Sequence, residues 1–433
     1  MPEPDTPLTD RPWEDVERLL NVDEVLERVL QHATPLAPIT VPLVEARGLL
    51  TVENVVARDN VPPFTNSAMD GYAVRYADTT GAWVKRPVYL RIAGAVAAGD
   101  SPNRMVDAGS AVRIMTGAML PPGADAVVRF EETDEPSEQR QSGRVGILRA
   151  AKYHDNVRLA GEDIAQGTVA LPSGTELGAA HLGLLASLGF TTVSVHRRPR
   201  VGILSTGNEV VPSGRHLAVG QIRDSNGVTL AALVEEAGGL PVALGVVRDE
   251  LAPLRRSLRG AVVEHGVDLL VTSGGVSVGD YDMVKHALQA EGEVALWQVR
   301  IKPGKPLAFG VLNDIPLLGL PGNSVAAAVS FLQFGRPAIR RMLGHSMVRL
   351  PRVVATLVTS IDNRGSRRHY VRVRLEADAA GGYRAVPVGE QGAGVLSSLA
   401  LADGLLVVPE EIVVAEAGMR LPVELLDSRL PSV

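Results

Sequence analysis

Strand-like and helix-like segments alternate along the stretch from Arg198 to Gly344. The apolar strand-like runs read VGILS, VALGVV, DLLVTS and EVALWQVRI, and the segments between them show helical periodicity, as in NGVTLAALVEEAGG and YDMVKHALQAEG. This alternation predicts right-handed β–α–β units that build a parallel sheet with helices on both faces. We therefore expect residues 198–346 to form a central, doubly wound α/β domain. The long helical run that closes this domain is expected to bend near Pro337.

The segments that flank this domain have a different pattern. Residues 56–160 are punctuated by Gly, Pro and Asp and contain short Val- and Ile-rich runs, which predicts an inserted β-rich lobe. Residues 350–427 return to short strand-like runs and predict a C-terminal β domain. Near the N-terminus, a flexible, acidic and Pro-rich tail over 1–18 precedes a predicted helix that Asn21 caps. The chain is thus expected to be multidomain, α/β plus β.

Composition disfavours several classes of function. The 433 residues suggest about three domains. The formal net charge of −6 and the aromatic content of 4% disfavour nucleic acid as the main partner. Because the chain has no cysteine, thiolate metal ligands are excluded, and any metal is expected to be a hard cation such as Mg²⁺. No apolar run approaches membrane-spanning length and no signal sequence is apparent, which favours a cytoplasmic protein that does not bind membranes.

Polar residues follow three of the predicted strands, and in open α/β sheets the ligand site lies beyond the carboxyl ends of the strands. VGILS leads into Thr206, and VALGVV leads towards Asp249. The third loop is the strongest signal, since its glycines and serines allow backbone N–H groups to surround an oxyanion. Its candidate residues are Ser273, Gly274, Gly275, Ser277, Gly279, Asp280 and Asp282. The two aspartates could cap the following helix or bind a cation, and the loop could also be a plain turn.

Lysine is rare in this chain, since five of its 43 basic residues are Lys. Two of the five, Lys302 and Lys305, flank a Pro-Gly turn, and a Lys ammonium group commonly binds phosphate as a point charge. Downstream, a second helix N-terminus suited to an anion follows the turn PGN. Its candidate residues are Pro321, Gly322, Asn323 and Ser324. The simpler interpretation is that Asn323 or Ser324 only caps this helix.

Polar residues also occur among apolar ones in the predicted β-rich lobe. The segment VPPFTNSAMDGYAV places Asp70 among Pro, Phe, Met and Tyr, a mixture that a surface loop does not require. Thr116 lies in RIMTGAML and Asp163 lies in NVRLAGEDI, again close to apolar residues. Asp70 followed by Gly71 could equally form a simple turn.

Seven segments together resemble the signatures of one family. They read PPFTNSAMDGYAV, GEDI, GILSTGNEVV, GQIRDSN, TSGGVSVGDYD, IKPGKPLAFG and GLPGNSVAA, and they span residues 60–330. In these segments the chain resembles the MoeA/gephyrin E-domain family, the molybdopterin molybdenumtransferases. Each segment alone is moderately specific, whereas seven in the family's order are very hard to obtain otherwise.

The resemblance implies an elongated homodimer with four domains per subunit. A discontinuous linker and dimerisation domain over 19–55 and 161–197 would hold the inserted β-rich lobe, and the central domain would be similar to molybdopterin adenylyltransferase. The implied reaction inserts molybdate into adenylylated molybdopterin with Mg²⁺, which gives molybdenum cofactor and AMP. Molybdopterin adenylyltransferase would be the upstream partner.

The resemblance also implies catalytic and binding roles for individual residues. Asp249, Asp280 and Asp282 would lie near the metal and the pyrophosphate, while Lys302 and Lys305 would neutralise molybdate or the phosphates. The nucleotide side of the pocket would be formed by Ser205, Thr206, Gly207, Asn208 and Glu209. The lobe residues that would face the site of the other subunit are Asp70, Thr116 and Asp163. The C-terminal residues that could reach the molybdate end are Arg367 or Arg368, with Ser397 and Ser398.

Two departures from the family pattern and two rival functions remain open. Thr65 stands where the family often has Asp, and the loop reads GDYD where some relatives read GEAD, so the acidic residue that meets the metal is undecided. The nearest rival is the preceding step, adenylylation of molybdopterin, although that family's loop typically reads GGTG rather than GGVSVGD. The other rival is a scaffold, because gephyrin E-domains also cluster membrane receptors.

Overall fold

The computed structural model describes residues 19–134, 143–275, 293–378 and 381–426. These residues fall into two compact units. The lobe unit comprises residues 40–47 and 51–194, and the main unit comprises the described parts of 1–39, 48–50 and 195–433. Within the described ranges, no helix is both long and apolar enough to cross a membrane.

The helices form where apolar residues recur at helical spacing. They are α1 (Val22–Gln31), α2 (Ala179–Ser187), α3 (Asn226–Glu236), α4 (Leu251–Val263), α5 (Ser324–Ser330), α6 (Arg336–Met342) and α7 (Leu396–Ala400). As predicted, Asn21 caps α1, because its side-chain oxygen accepts the N–H of Glu24 at 2.7 Å. A π-helical turn, Phe331–Gly335, joins α5 to α6 just before Pro337, where the sequence predicts a bend.

Short strands dominate between residues 38 and 196. They are β1 (Pro38–Pro42), β2 (Val55–Val56), β3 (Asn66–Ser67), β4 (Gly71–Val74), β5 (Val88–Val96), β6 (Ser110–Ile114), β7 (Ala126–Arg129), β8 (Arg144–Ile147), β9 (Val157–Arg158), β10 (Val169–Leu171) and β11 (Thr192–His196). Five of them form one sheet in the order β7-β4-β6-β5-β8, in which β5 and β6 run parallel and the other pairs antiparallel. Tyr72, Leu90 and Ile147 are buried in its core. The lobe is thus β-rich, as predicted.

The α/β part of the main unit contains a six-stranded sheet. Its strands, with the short strands beside them, are β12 (Arg200–Thr206), β13 (Val210–Val211), β14 (Ile222–Arg223), β15 (Leu240–Val247), β16 (Leu269–Ser273), β17 (Glu293–Gln298), β18 (Ile301–Lys302), β19 (Pro306–Leu312) and β20 (Ile315–Leu320). In the order β15-β12-β16-β20-β19-β17, the first four strands are parallel. Leu254 and Leu258 of α4 pack with Leu204 and Leu270 of the sheet. The doubly wound arrangement of the helices stays a prediction.

The prediction of a parallel sheet is confirmed for four strands and is wrong at one edge. Strands β19 and β20 form an antiparallel hairpin, and β17 pairs antiparallel with β19. The hairpin turns at Asn313 and Asp314, whose φ angles of 48° and 65° suit a two-residue turn that matches the twist of the strands. Such a turn joins neighbouring strands in opposite directions, whereas a parallel pair requires a long crossover connection. The four parallel strands nevertheless end at one common edge.

The C-terminal domain is a β domain, as predicted, and its sheet closes into a barrel. Its strands are β21 (Arg352–Leu357), β22 (Ile361–Asp362), β23 (Arg368–Ala377), β24 (Tyr383–Pro387), β25 (Gly404–Val408), β26 (Val414–Ala415) and β27 (Arg420–Leu425). Because β23 pairs with both β24 and β25, the order β23-β24-β21-β27-β25 forms a ring. Strand β18 adds in parallel to β23, with Lys302 opposite His369. Lys302 therefore lies where the α/β domain meets the barrel.

Candidate active site

A cleft of about 980 Å³ opens at the edge where the four parallel strands end. Most predicted site residues of the main unit line it: Ser205, Thr206, Gly207, Glu209, Asp249, Ser273, Gly274, Gly275, Lys302, Lys305, Pro321, Gly322, Asn323 and Ser324. The barrel also contributes to the lining, through Arg367 and the loop over 391–394. The cleft is therefore built from strand ends, where open α/β sheets bind ligands, and from one end of the barrel.

Three acidic residues line the cleft, Glu209, Asp224 and Asp249. Burial raises the pKa of Asp249, and the nearby charge of Glu209 raises it further. Hydrogen bonds from Thr206 and from the backbone of Asn208 lower this pKa without outweighing the rise. The Oδ1 atom of Asp249 is buried and has no hydrogen-bond partner among the described residues. A buried, unpaired carboxylate oxygen close to a second carboxylate suits a hard cation.

The glycine-rich loop after β16 comes close to the neighbouring strand end. Gly274 has a φ of +92°, and a Cβ atom at this position would lie 2.6 Å from the carbonyl oxygen of Thr206. Glycine is therefore required here, because any side chain would displace backbone. Gly275 follows with a φ of +67°. The rest of the predicted loop lies outside the described residues: Ser277, Gly279, Asp280 and Asp282.

The helix start at Ser324 has fewer available donors than the sequence suggests. The N–H groups of Val325 and Ala326, in the first turn of α5, donate to the carbonyl oxygen of Ala393 at 3.0 and 3.2 Å. Ala393 belongs to the barrel loop that lines the cleft. This carbonyl satisfies two of the four N–H groups that a helix leaves unpaired at its start. An anion in this part of the cleft would therefore depend on other groups.

Positive charge concentrates where β18 meets the barrel. Lys302 is half-buried and Lys305 is exposed, and Arg367 joins them in lining the cleft. Burial lowers the pKa of Lys302, the charges of Arg367 and Arg372 lower it further, and Asp362 acts in the opposite direction. Two guanidinium groups and one carboxylate thus act on this ammonium group, and such an excess of positive charge suits an oxyanion.

Arg372, which is completely buried in β23, is a residue that sequence reasoning missed. Its Nε donates to Ser398 Oγ at 3.1 Å, and its Nη2 donates to the carbonyl oxygens of Glu390 and Gly392 at 3.3 and 3.1 Å. Burial lowers its pKa to about 10. The sequence could have indicated this residue, because Arg372 lies inside the largely apolar strand sequence YVRVRLEA, where a charged side chain is unusual. Residues that line the cleft and were missed include Arg223, Asp224, Ser225, Asn226 and Gln391.

Four predicted residues in the described part of the main unit are not among those that line the cleft: Asn208, Arg368, Ser397 and Ser398. Arg368 forms ion pairs with Asp23 at 2.8 Å and with Glu410 at 3.2 Å. Neighbouring residues of extended chain point to opposite sides, so Arg367 reaches the cleft where Arg368 does not. Between the two arginines that the sequence left open, the cleft contains Arg367.

The remaining predicted residues lie in the lobe unit. Thr116 donates to Asp70 Oδ1 twice, through its N–H at 2.7 Å and through its hydroxyl at 2.8 Å. These hydrogen bonds hold the pKa of Asp70 below its ordinary value. Asp163 is exposed. Thr65, at the position where the family often has Asp, accepts the N–H of Ala160 at 3.2 Å.

Known proteins match the whole of this architecture. Three family models fit the chain: the MoeA N-terminal region (domain I and II) over residues 20–189, a probable molybdopterin binding domain over 202–341, and the MoeA C-terminal region (domain IV) over 354–426. Molybdopterin molybdenumtransferase 2 of Mycobacterium tuberculosis is 39% identical over 392 residues, which cover 89% of this chain and 94% of that protein. Molybdopterin molybdenumtransferase of Haemophilus influenzae is 35% identical over 408 residues, with coverage of 94% and 98%.

Among solved structures, the molybdopterin biosynthesis MoeA protein from Pyrococcus horikosii matches with a TM-score of 0.81 at 33% identity. The match covers 95% of this chain and 100% of that chain. Fold and site thus define a multidomain protein with a molybdopterin-binding α/β domain between MoeA-type N- and C-terminal regions. The chain belongs to the MoeA family of molybdopterin molybdenumtransferases, enzymes of molybdenum cofactor biosynthesis. The resemblance inferred from the seven segments is confirmed.

Proposed function

We propose that this chain inserts molybdate into adenylylated molybdopterin and releases AMP in a reaction that uses Mg²⁺. The observation that carries this proposal is one cleft lined both by carboxylates at strand ends and by cations where β18 meets the barrel. The substrates have a corresponding distribution of charge, because a pyrophosphate linkage and a second oxyanion must be bound together. The cations suit the oxyanions, and the carboxylates suit a metal that accompanies the phosphates.

Each wall of the cleft has a role in this proposal. The glycine-rich loop approaches the phosphate oxygens through Gly275, because the N–H of Gly274 donates to the carbonyl oxygen of Leu320 at 3.0 Å. Lys302, Lys305 and Arg367 bind molybdate and neutralise the phosphates. A water oxygen bonds to the phosphorus of the molybdopterin phosphate as the phosphoanhydride bond breaks, and negative charge develops on the phosphate oxygen of AMP as it leaves. Cations already fixed near that oxygen stabilise the transition state more than the bound substrate.

The residues of the cleft fit a magnesium ion. The described ranges contain no group of three or more His, Asp or Glu side chains that could hold a metal. Mg²⁺ is, however, usually bound through one or two carboxylates together with water and substrate phosphates. Asp249, with its unpaired Oδ1, and Glu209 would hold it, and Asp280 and Asp282 are further candidate ligands. When bound, the ion supplies positive charge at the phosphate oxygens.

The proposal includes a homodimer in which the lobe of one subunit completes the site of the other. Asp70, Thr116 and Asp163 are the residues assigned to this role. Asp70 is exposed, and its two hydrogen bonds from Thr116 favour the ionised carboxylate and fix its orientation. Such a group is suited to contact with a partner's substrate. Molybdopterin adenylyltransferase is the upstream partner in this proposal, because it makes the adenylylated substrate.

The experiment that separates this function from its nearest rival uses two incubations of the purified chain. One contains molybdopterin and ATP with Mg²⁺, and the other contains adenylylated molybdopterin and molybdate with Mg²⁺. We expect molybdenum cofactor and AMP from the second incubation, and no adenylylated product from the first. Adenylylated molybdopterin formed in the first incubation would assign the chain to the preceding step instead.

A further inference from the structure

Asn226, the first residue of α3, connects two loops of the cleft that belong to different strands. Its Nδ2 donates to Ser273 Oγ at 2.7 Å and to the carbonyl oxygen of Gly322 at 2.7 Å. A side-chain amide has two N–H donors, so both are used in these two bonds. One side chain therefore links the glycine-rich loop after β16 to the turn after β20.

The two linked loops are in close contact. A Cβ atom at Gly322 would lie 3.7 Å from the Cα of Gly274, which is ordinary van der Waals distance. The hydroxyl of Ser273 also donates to the carbonyl oxygen of Pro321 at 3.4 Å. The distance between the loops is therefore set by the backbone and by the hydrogen bonds that join them, with Asn226 at the centre.

The position of Asn226 is itself fixed by the start of its helix. The N–H of Gly227 donates to Asp224 Oδ1 at 2.8 Å, and the N–H of Asp224 donates to the carbonyl oxygen of Val211 at 2.8 Å. These bonds hold the first turn of α3 beside the cleft. An amide fixed in this way can hold two neighbouring loops at a constant separation.

We propose that Asn226 is a positioning residue that sets the width of the phosphate-binding part of the cleft. This inference rests on the proposed function, because it assigns the loop Ser273–Gly275 to the phosphates. Asn226 acts through the two loops and needs no contact with the reacting atoms. Without its amide, Ser273 and Gly322 would separate, and this part of the cleft would become too wide to hold a phosphate between the two loops.

The test compares the wild type with Asn226→Ala, which removes the amide without adding charge. Isothermal titration calorimetry measures the affinity for inorganic pyrophosphate in the presence of Mg²⁺, and AMP release gives KM and kcat for adenylylated molybdopterin. We expect Kd and KM to rise about tenfold, which corresponds to the loss of one or two hydrogen bonds. We expect kcat to stay within about threefold, because the reacting groups are unchanged.

A second variant and a control make the result specific. Asn226→Asp keeps the size of the side chain but turns an acceptor towards the carbonyl oxygen of Gly322, so it should weaken pyrophosphate binding as well. The control is Asn156→Ala, which removes an amide that donates to the carbonyl oxygen of Val127 at 2.8 Å. Because Asn156 also has a positive φ of 54°, the control should lower Tm while Kd and KM stay unchanged.

The proposal is overturned if Asn226→Ala lowers Tm but leaves the pyrophosphate Kd and KM at wild-type values. Absence of pyrophosphate binding by the wild type would also overturn it, since the loops would then hold no phosphate. If the wild type binds pyrophosphate but releases no AMP from adenylylated molybdopterin, the proposed reaction fails. The comparison of Kd values still decides the role of Asn226 in that case.

Discussion

At the scale of single residues, the cleft holds charged groups in surroundings that disfavour their charged forms. Burial raises the pKa of Asp249, and burial also lowers the pKa of Lys302. A ligand that brings the opposite charge to each group compensates for this burial. Burial of these groups therefore has a local cost in stability, and binding of the proposed cation and oxyanion would relieve it.

Asp249→Asn should raise stability while it abolishes most activity. The pKa of Asp249 is above its ordinary value of 3.8, so the folded chain keeps this proton to a higher pH than the unfolded chain does. Stability is therefore lost as pH rises through the raised pKa, and at pH 7.5 the carboxylate destabilises the fold. We expect a Tm about 1–2 °C above wild type at pH 7.5, no difference below pH 4, and AMP release reduced about a hundredfold.

The control for this variant is Glu250→Gln, which removes a charge from the exposed neighbouring residue. Glu250 is not among the residues that line the cleft. AMP release should stay at the wild-type value, and Tm should not rise, because Glu250 lies at the N-terminus of α4, where its negative charge is favourable. A lower Tm for Asp249→Asn at pH 7.5 would show that the carboxylate stabilises the free protein, contrary to the cost inferred from its burial.

Substitutions of two adjacent arginines should have different effects, one on molybdate binding and the other on stability. Arg367→Ala should raise the KM for molybdate about tenfold or more, because it removes a cation from the lining. Arg368→Ala should lower stability by about 1–2 kcal/mol, because Glu410 and Asp23 each lose an ion pair, although Asp23 keeps its pair with Arg349. Its KM for molybdate should stay close to wild type. Urea unfolding measures the stability of both variants, and molybdate titrations measure their KM. If Arg368→Ala raised the KM for molybdate and Arg367→Ala did not, Arg368 would belong to the site.

Some of the residues that line the cleft could be predicted from the sequence. Lys302 and Lys305 could be singled out because lysine is rare in the chain, and both line the cleft. The choice between Arg367 and Arg368 depends on which way each side chain points, and that is set by the barrel and by Asp23, hundreds of residues away in sequence. Arg372 is buried by the same barrel. The alternating pattern of its strand could be seen in the sequence, but the contacts of its side chain could not be predicted from it.

At the level of helices, strands and loops, the shape of the cleft depends on close contacts between the backbones of neighbouring elements. Gly274 lies against the carbonyl group of Thr206, and the carbonyl oxygen of Ala393 accepts the first N–H groups of α5. The glycine-rich loop could be predicted from its composition and from its position after a strand. The contact of Ala393 could not, because it joins two domains of the main unit that are far apart in sequence.

Gly274→Ala should lower both Tm and kcat/KM more than Gly418→Ala does, although the two glycines have the same φ. Gly418 has the same φ of +92° but no atom within 4 Å of its would-be Cβ, so Gly418→Ala carries only the conformational cost of about 1 kcal/mol. Gly274→Ala adds the contact with Thr206 and must displace the loop. We expect a larger fall in Tm and at least a tenfold loss of kcat/KM for Gly274→Ala, with kcat/KM unchanged for Gly418→Ala. Equal effects of the two variants would show that loop packing is unimportant.

For the molecule as a whole, the type of each domain could be predicted from local sequence patterns, whereas the pairing of the strands could not. The alternation of strands and helices indicated the α/β domain, and the short Val-rich runs indicated the two β domains. The antiparallel edge was missed because a two-residue turn at Asn313 and Asp314 reverses the chain. The closure of the barrel was missed because it depends on the pairing of β23 with both β24 and β25.

Mixing two inactive variants should restore activity if the lobe of one subunit completes the site of the other. Asp70→Asn and Asp249→Asn each remove one of two groups that the proposal places in a shared site. In a mixed dimer, one of the two sites keeps both carboxylates. After subunit exchange in an equal mixture, we expect roughly a quarter of wild-type AMP release. Activity no greater than the sum of the separate variants would show that the site is not shared.

If one cleft binds the adenylylated substrate together with molybdate, the release of AMP must depend on molybdate. AMP release from adenylylated molybdopterin with Mg²⁺ should therefore be measured for the purified wild-type chain, with and without molybdate. We expect AMP release that depends on molybdate. Bound substrate with no AMP under either condition would instead favour a scaffold role.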